Sequence, residues 1–289
     1  MLKRSWINKK TLLASGVLVG AIVLAVLFSS TIFKTVEVDS TPENGLNLFP
    51  TPAAKISSAP KVCHGKTIAA APKDIEEKLE KIAKDHNVTL EAAWLDPEKG
   101  VVRIGSEDNL PAWSTIKVPI ALTATRMGKG EELTQPISTA IRVSDNDTAT
   151  AIFEALAPSH FERLQLVDET LQSCGDETTK LNGEAFGMTL WDVADQVQFL
   201  SKMPCVDSSD QVIEDMSNIT EGQRWGIGKA PNPSFKGGWG DANGVHTVRQ
   251  MGWFTKENGE RVIPAIATTS PDQASGQDAI TEMVKEFNA

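Results

Sequence analysis

The spacing of apolar residues divides the chain into a short mixed start, a long helical centre and an end rich in strands. Ile75, Leu79, Ile82 and Ala83 recur at helical spacing and predict a helix over residues 73–86. Residues 88–95 and 101–104 are predicted strands around a turn-forming run at 96–100. Helical spacing then dominates from residue 113 to about 202. Three further strands and a last helix are predicted at 234–239, 246–254, 261–268 and 276–287.

This order of elements predicts an α/β (α+β) fold with one antiparallel sheet. Two strands from the start and three from the end can form a five-stranded sheet flanked by the outer helices. The central block then forms a second, all-helical lobe, and a cleft lies between the lobe and the sheet.

The chain before Pro72 differs in character from the rest. Residues 12–33 form an uncharged, largely apolar run long enough to cross a bilayer, and four basic residues precede it. We therefore predict a cytoplasmic tail and transmembrane anchor in residues 1–34. The alternative is a cleaved signal peptide, but the apolar core is longer than the usual ~7–15 residues and no clear A-x-A site follows. Residues 35–71 read as a flexible linker and residues 72–289 as the folded domain. The localisation expected from this pattern is the cell membrane, single-pass, with an extracytoplasmic C-terminal domain.

Charge and cysteine content limit the partners. The formal net charge is −10, and residues 1–40 carry +3, so the remainder carries −13. Such a surface repels phosphate backbones and argues against nucleic-acid binding. Three cysteines allow three pairings, of which Cys174–Cys205 is favoured because Cys63 lies in the linker. No metal-type spacing is present, so neither a metal nor a cofactor is expected.

A serine and a lysine at the start of the helical block could do chemistry together. Ser114 precedes the apolar run 118–122 and so falls at a helix start, where free N–H groups favour an oxyanion. Lys117, one turn later, lies on the same face and could act as a base if burial lowers its pKa. Alone, this S-x-x-K run is more typical of a helix cap followed by a surface lysine.

Two later runs of residues favour the catalytic interpretation of Ser114 and Lys117 over the helix cap. The first, Ser144-Asp145-Asn146, is either a helix start or a proton relay (Ser144) with a substrate-binding amide (Asn146). The second, Lys236-Gly237-Gly238, lies on the first C-terminal strand, where paired glycines often mark close approach of a ligand or backbone.

The ordered set S-x-x-K, S-D-N and K-G-G resembles the motifs of the penicillin-recognising serine hydrolases, which comprise serine β-lactamases and penicillin-binding proteins. The resemblance, to a class A β-lactamase-like domain, runs from about residue 72 to residue 289. It implies acylation of Ser114, with Lys117 as general base and Ser144 as proton shuttle. It further implies that Asn146 binds the substrate amide and Lys236 the substrate carboxylate. The oxyanion hole would combine the Ser114 N–H with a strand N–H just after Lys236, near Gly238 and Trp239.

Three departures from the family pattern bear on activity. Gly237 stands where the family has a threonine or serine, and the Ser114-to-Ser144 interval is about half the usual spacing, so the helical lobe is trimmed. The family's E-x-x-x-N loop is not reproduced at Glu177–Asn182, although Glu177, or else Glu184, could still act as the deacylation base. Both glutamates could equally be ordinary surface carboxylates.

Two functions follow from these motifs. The first is a membrane-anchored extracytoplasmic serine hydrolase that forms an acyl-enzyme with a β-lactam or a D-alanyl cell-wall peptide, with efficient β-lactam turnover doubtful. The alternative is a catalytically degenerate domain that binds an envelope ligand or a partner protein. The expected partners are a small-molecule or peptide substrate of the cell envelope and, through the anchor, the membrane.

Overall fold

A computed structural model describes Cys63 and residues 65–289 except Asn243. The predicted anchor and residues 35–62 of the linker lie outside these residues. Among the described residues the longest helix has 16 residues, and none is long and apolar enough to cross a membrane. The prediction of a single-pass membrane localisation was therefore wrong.

The sheet is antiparallel and joins the two ends of the domain, as predicted. Its strands are β1 (Glu91–Asp96), β2 (Gly100–Gly105), β3 (Ser234–Ala242), β4 (Val245–Thr255), β5 (Arg261–Val262) and β6 (Pro264–Ser270). Their order is β2-β1-β6-β4-β3, and β5 pairs with the end of β4. The single strand predicted at 261–268 is divided at Ile263, so the sheet has six strands rather than five. Strand β3 lies at an edge, open to the cleft.

Eight α-helices surround this sheet in the described residues. They are α1 (Ile75–Asp85), α2 (Lys117–Arg126), α3 (Thr134–Ser138), α4 (Asn146–Leu156), α5 (His160–Ser173), α6 (Val193–Lys202), α7 (Asp210–Ser217) and α8 (Gln273–Asn288). Helix α8 packs on one face of the sheet and on α1, whereas α6 packs on the other face. The helical block extends to α7, beyond the predicted end at 202.

Helix α2 is the centre of the helical lobe. It contacts α4, α5 and α7, and all its residues from Lys117 to Thr125 are buried. A helix that is buried on every side has no polar face, which explains why the run after Lys117 carries no charged residue before Arg126. The only charge along this buried stretch is Lys117, so the lobe holds that lysine in an apolar setting.

One disulfide bond joins Cys63 to Cys205, with the two Cα atoms 4.8 Å apart. The favoured pairing of Cys174 with Cys205 was therefore wrong. Cys174 follows α5, is completely buried and is a free thiol, while Cys205 lies in the turn after α6. Pairing depends on which Cα atoms the fold brings within about 4.4–6.8 Å, and chain position alone does not determine that.

Candidate active site

Ser114 lies in the 3-10 turn Trp113–Ile116 that leads directly into α2. The residue before it, Trp113, has a left-handed backbone with φ 48°, which is strained for an L-residue. Its indole donates a hydrogen bond to the Thr247 hydroxyl on β4. This hydrogen bond holds the turn against the sheet immediately before Ser114.

Strand β3 touches the backbone of the same turn. A Cβ atom built on Gly238 would lie 2.8 Å from the Ser114 nitrogen and 2.9 Å from Trp113 Cβ. Only glycine permits this approach, because real Cβ atoms do not come within 3.0 Å of such neighbours. The backbone of β3 at Gly238 therefore packs directly against the backbone of the turn at Ser114.

Ser144 has a left-handed backbone (φ 65°, ψ 31°) between the π-helical turn Thr139–Val143 and α4. Asp145 caps α4 by accepting a hydrogen bond from the Thr148 N–H at 2.8 Å. Asn146 then begins the helix. In the run Ser144-Asp145-Asn146, the residue that caps the helix is therefore Asp145. The side chains of Ser144 and Asn146 are not used in the cap.

Lys117 is 2% exposed and lies against this loop. Its Nζ donates to the Ser144 carbonyl at 2.5 Å and to Asn146 Oδ1 at 2.7 Å, and lies 3.4 Å from Ser144 Oγ. Burial lowers the pKa of Lys117 to about 8, against a smaller opposing effect of Asp145. No hydrogen bond joins Lys117 to Ser114 in the described structure. The lysine of the first motif is instead hydrogen-bonded to the second motif, at Ser144 and Asn146.

Lys236 on β3 is completely buried and reaches the same hydroxyl from the opposite side. Its Nζ donates to Ser144 Oγ at 2.8 Å and to the Gly237 carbonyl at 2.9 Å. Burial, with a smaller contribution from the charge of Lys117, holds the pKa of Lys236 well below its ordinary value. Within the described residues no carboxylate forms an ion pair with either lysine. Burial therefore shifts both amines towards the neutral form, and the charge of Lys117 adds to this shift for Lys236.

The space beside Gly237 is filled by the indole ring of Trp225. A Cβ atom on Gly237 would lie 3.1 Å from Trp225 Cζ2. The ring of Trp225 meets that of Trp239 edge to face, with the centroids 6.4 Å apart. The sequence motifs pointed to Trp239, through its position near the expected oxyanion hole, but not to Trp225. No spacing signal links Trp225 to Gly237, since they meet through tertiary structure.

The remaining predicted residues do not join this cluster. Glu177 and Glu184 are exposed, and neither makes a hydrogen bond or ion pair with Lys117, Ser114 or Ser144 in the part of the chain that is described. A deacylation role for Glu177 stays a prediction.

Arg249 lies on a predicted strand, where it could bind a substrate carboxylate or be a solvated sheet residue, and the structure shows that it does neither. It is completely buried and donates to the carbonyls of Leu110, Pro111 and Trp191 at 2.7–2.9 Å. It therefore supports the segment that leads to Ser114 instead of facing a substrate.

Solved structures with the same architecture are class A β-lactamases. The TLA-3 extended-spectrum β-lactamase superposes with a TM-score of 0.62 at 17% identity, covering 74% of this chain and 97% of that one. A β-lactamase from Chitinophaga pinensis gives 0.63 at 17% identity, covering 75% and 98%. A class A representative from Bacteroides cellulosilyticus gives 0.60 at 16% identity, covering 76% and 99%. The chain has the class A β-lactamase fold.

No protein-family profile and no curated protein sequence matches this chain. At such low identity the class A β-lactamase fold is what the likeness establishes, and the activity has to be argued from the site. The predicted fold class is confirmed. Residues of the three motifs meet between the helical lobe and the edge strand β3, where Lys117 and Lys236 both reach Ser144.

Proposed function

We propose that the protein is a serine hydrolase that forms an acyl-enzyme on Ser114, with a β-lactam or a D-alanyl cell-wall peptide as acyl donor. The observation that carries this proposal is the convergence of two buried lysines, Lys117 and Lys236, on the Ser144 hydroxyl. Buried amines without a carboxylate partner are costly to maintain, and such perturbed groups concentrate at functional sites.

In the proposed acylation, each side chain of this cluster has its own role. Neutral Lys117 accepts the proton of Ser114 Oγ as that oxygen forms a bond to the acyl carbon. The developing oxyanion is stabilised by the Ser114 N–H and the β3 backbone beside Gly238. When the C–N bond breaks, Ser144 donates its hydroxyl proton to the leaving nitrogen and regains one from Lys117. Lys236 donates to Ser144 Oγ at 2.8 Å and so orients that hydroxyl.

Release of the acyl group has less support. Deacylation needs a base that activates water, and no carboxylate makes a hydrogen bond or ion pair with Lys117, Ser114 or the Ser144 side chain among the described residues. Losing a positioned general base slows a step by about 10²–10⁴. We therefore expect an acyl-enzyme that accumulates, with slow turnover.

A second candidate is a catalytically degenerate domain that binds an envelope ligand or a partner protein. It is favoured by the missing hydroxyl at Gly237 and by the exposed position of Glu177. Saturable binding of peptidoglycan fragments that survives both Ser114→Ala and Lys117→Ala, without covalent labelling of the wild type, would support it.

Intact-mass spectrometry after incubation with benzylpenicillin tests the first proposal. We expect one adduct of the mass of the intact drug, because acylation opens the ring without loss of atoms. Ser114→Ala should abolish the adduct, whereas Ser173→Ala, an exposed serine at the end of α5, should retain it. Absence of an adduct in the wild type, or its persistence in Ser114→Ala, contradicts the proposal.

A further inference from the structure

The segment 220–225 connects the Ser144 loop to strand β3. At its start, the Thr220 N–H donates to the Arg142 carbonyl at 3.1 Å, and Gln223 Nε2 donates to the Val143 carbonyl at 2.7 Å. Val143 directly precedes Ser144. The segment therefore begins against the loop that carries the proposed proton shuttle.

The other end of the segment is fixed to the sheet. Gln250 is completely buried, donates from Nε2 to the Trp225 carbonyl at 2.8 Å and accepts from the Ile227 N–H at 2.7 Å. Gln250 is the β4 partner of Gly237 in the antiparallel register. Trp225 is thus held beside Gly237 by its backbone, independently of its side chain.

Two buried polar atoms of this segment have no hydrogen-bond partner among the described residues. They are Trp225 Nε1, on a side chain with 8% exposure, and Gln223 Oε1. A buried donor left unpaired costs about 1–3 kcal/mol. In the indole, Nε1 is bonded to the same ring carbon as Cζ2, the atom nearest to Gly237. The unpaired donor therefore lies two covalent bonds from the ring atom that is nearest to Gly237.

The basic side chains of Lys236, Arg142 and Arg224 at this end of the cleft already have partners among the described residues. Lys236 is fully buried and donates inward, as described above. Arg142 pairs with Asp215, with Nε 2.5 Å from Oδ1. Arg224 lies 4.0 Å from a Glu221 carboxylate oxygen, and its guanidinium stacks over an aromatic ring on β3. A ligand carboxylate here would meet an aromatic wall without a free positive charge.

We propose that Trp225, with Trp239, makes this end of the cleft selective for a substrate bearing an uncharged hydrogen-bond acceptor, an ester or a carboxamide, and that the indole N–H of Trp225 donates to it. The proposal rests on the acyl-transfer function proposed above. A free carboxylate would lose its hydration without gaining an ion pair. An ester or amide carbonyl loses less hydration free energy and accepts a hydrogen bond from the unpaired Trp225 N–H. The formal charge of −10 acts in the same direction, because it repels anionic substrates.

Benzylpenicillin and its methyl ester form a matched pair that differs only in this charge. The measurement is the second-order rate constant of acylation, followed by intact mass, for each compound. We expect the wild type to react with the ester at least as fast as with the acid. In Trp225→Phe, which keeps a ring but removes the N–H, the ester-to-acid ratio should fall roughly three- to tenfold. Trp94→Phe, the same change in the core against α8, should leave the ratio unchanged.

Two results of the kinetic measurement would overturn the proposal. The acid could react more than tenfold faster than the ester in the wild type. Trp225→Phe could slow both compounds equally, which would indicate a packing role. Finally, if neither compound acylates, the proposed function fails. Tryptophan fluorescence titration of the Ser114→Ala variant then decides this proposal alone. Tighter binding of the ester supports it, whereas tighter binding of the acid, or no binding of either, contradicts it.

Discussion

At the residue scale, the proposed chemistry depends on the desolvation of Lys117. The lysine belongs to a helix that is buried on all sides, and its charge is opposed by burial and only weakly supported by Asp145. With a pKa of about 8, roughly a tenth of the molecules carry the neutral amine at pH 7. Lys117 can therefore act as a base near neutral pH without a carboxylate to take its proton.

This protonation equilibrium predicts the pH dependence of acylation. Because the neutral amine is the active form, the acylation rate constant should rise about tenfold per pH unit below pH 8 and level off above it. Stopped-flow measurement of acylation between pH 6 and 9.5 checks this. Lys117→Arg stays cationic and should lose about 10²–10⁴ in rate together with the inflection. A flat wild-type profile over this range would show that Lys117 is not the base.

The sequence predicted the residues of this cluster but not their contacts. Short motifs mark Ser114, Lys117, Ser144 and Lys236 because their residue types and order are unusual together. The link from Lys117 to Ser144 depends on the left-handed turn at Ser144, which no local pattern required. The role of Trp225 beside Gly237 depends on Gln250, which belongs to a different element, strand β4. Such contacts become visible only when the sheet register is known.

At the scale of elements, the close approach of β3 to the turn before α2 controls the geometry around Ser114. The strand was predicted as a strand, and its two glycines suggested a close contact, which Gly238 makes with the Ser114 nitrogen. The hairpin of β1 and β2 was also predicted from its turn. Helix α7 was not included in the predicted helical block, and the third C-terminal strand was predicted to be continuous although it breaks at Ile263.

A methyl group at Gly238 should therefore push β3 away from the turn. We expect Gly238→Ala to reduce the acylation rate about tenfold or more and the free energy of unfolding by about 1–3 kcal/mol. Gly183→Ala is the matched control, because its Cβ would meet nothing closer than Leu164 Cδ1 at 3.5 Å. Penicillin labelling kinetics and urea denaturation measure the two effects. Equal behaviour of the two variants would mean that the contact does not govern the position of Ser114.

At the scale of the whole molecule, two buried ionisable side chains, Glu91 and Arg249, lie on one face of the sheet. Glu91 and Arg249 both align with Ala267 in neighbouring strands, so their side chains point to the same face. Glu91 is 1% exposed and both carboxylate oxygens lack partners among the described residues. Burial raises the pKa of Glu91 to about 7, although Arg249 and Arg103 oppose the shift.

The raised pKa of Glu91 makes stability depend on pH. The unfolded chain releases this proton near the ordinary value of 4.5, whereas the folded chain retains it until about pH 7. Glu91 should therefore lower the free energy of unfolding as pH rises through this window, by about 3 kcal/mol in total. Relative to the wild type, Glu91→Gln should gain that amount between pH 5 and 8. Urea denaturation at several pH values measures the difference, and a constant difference contradicts the prediction.

The bond between Cys63 and Cys205 has a mechanical consequence. Residues 64–204 lie inside the loop that it closes. A force applied between residue 63 and the C-terminus would pass through the two sulfur atoms, so Ser114, Lys117 and Ser144 lie off the load path. The 142-residue separation corresponds to about 500 Å of extended chain. That length becomes available to a stretching force only after a reductant opens the bond, so extension of residues 64–204 is controlled by redox state.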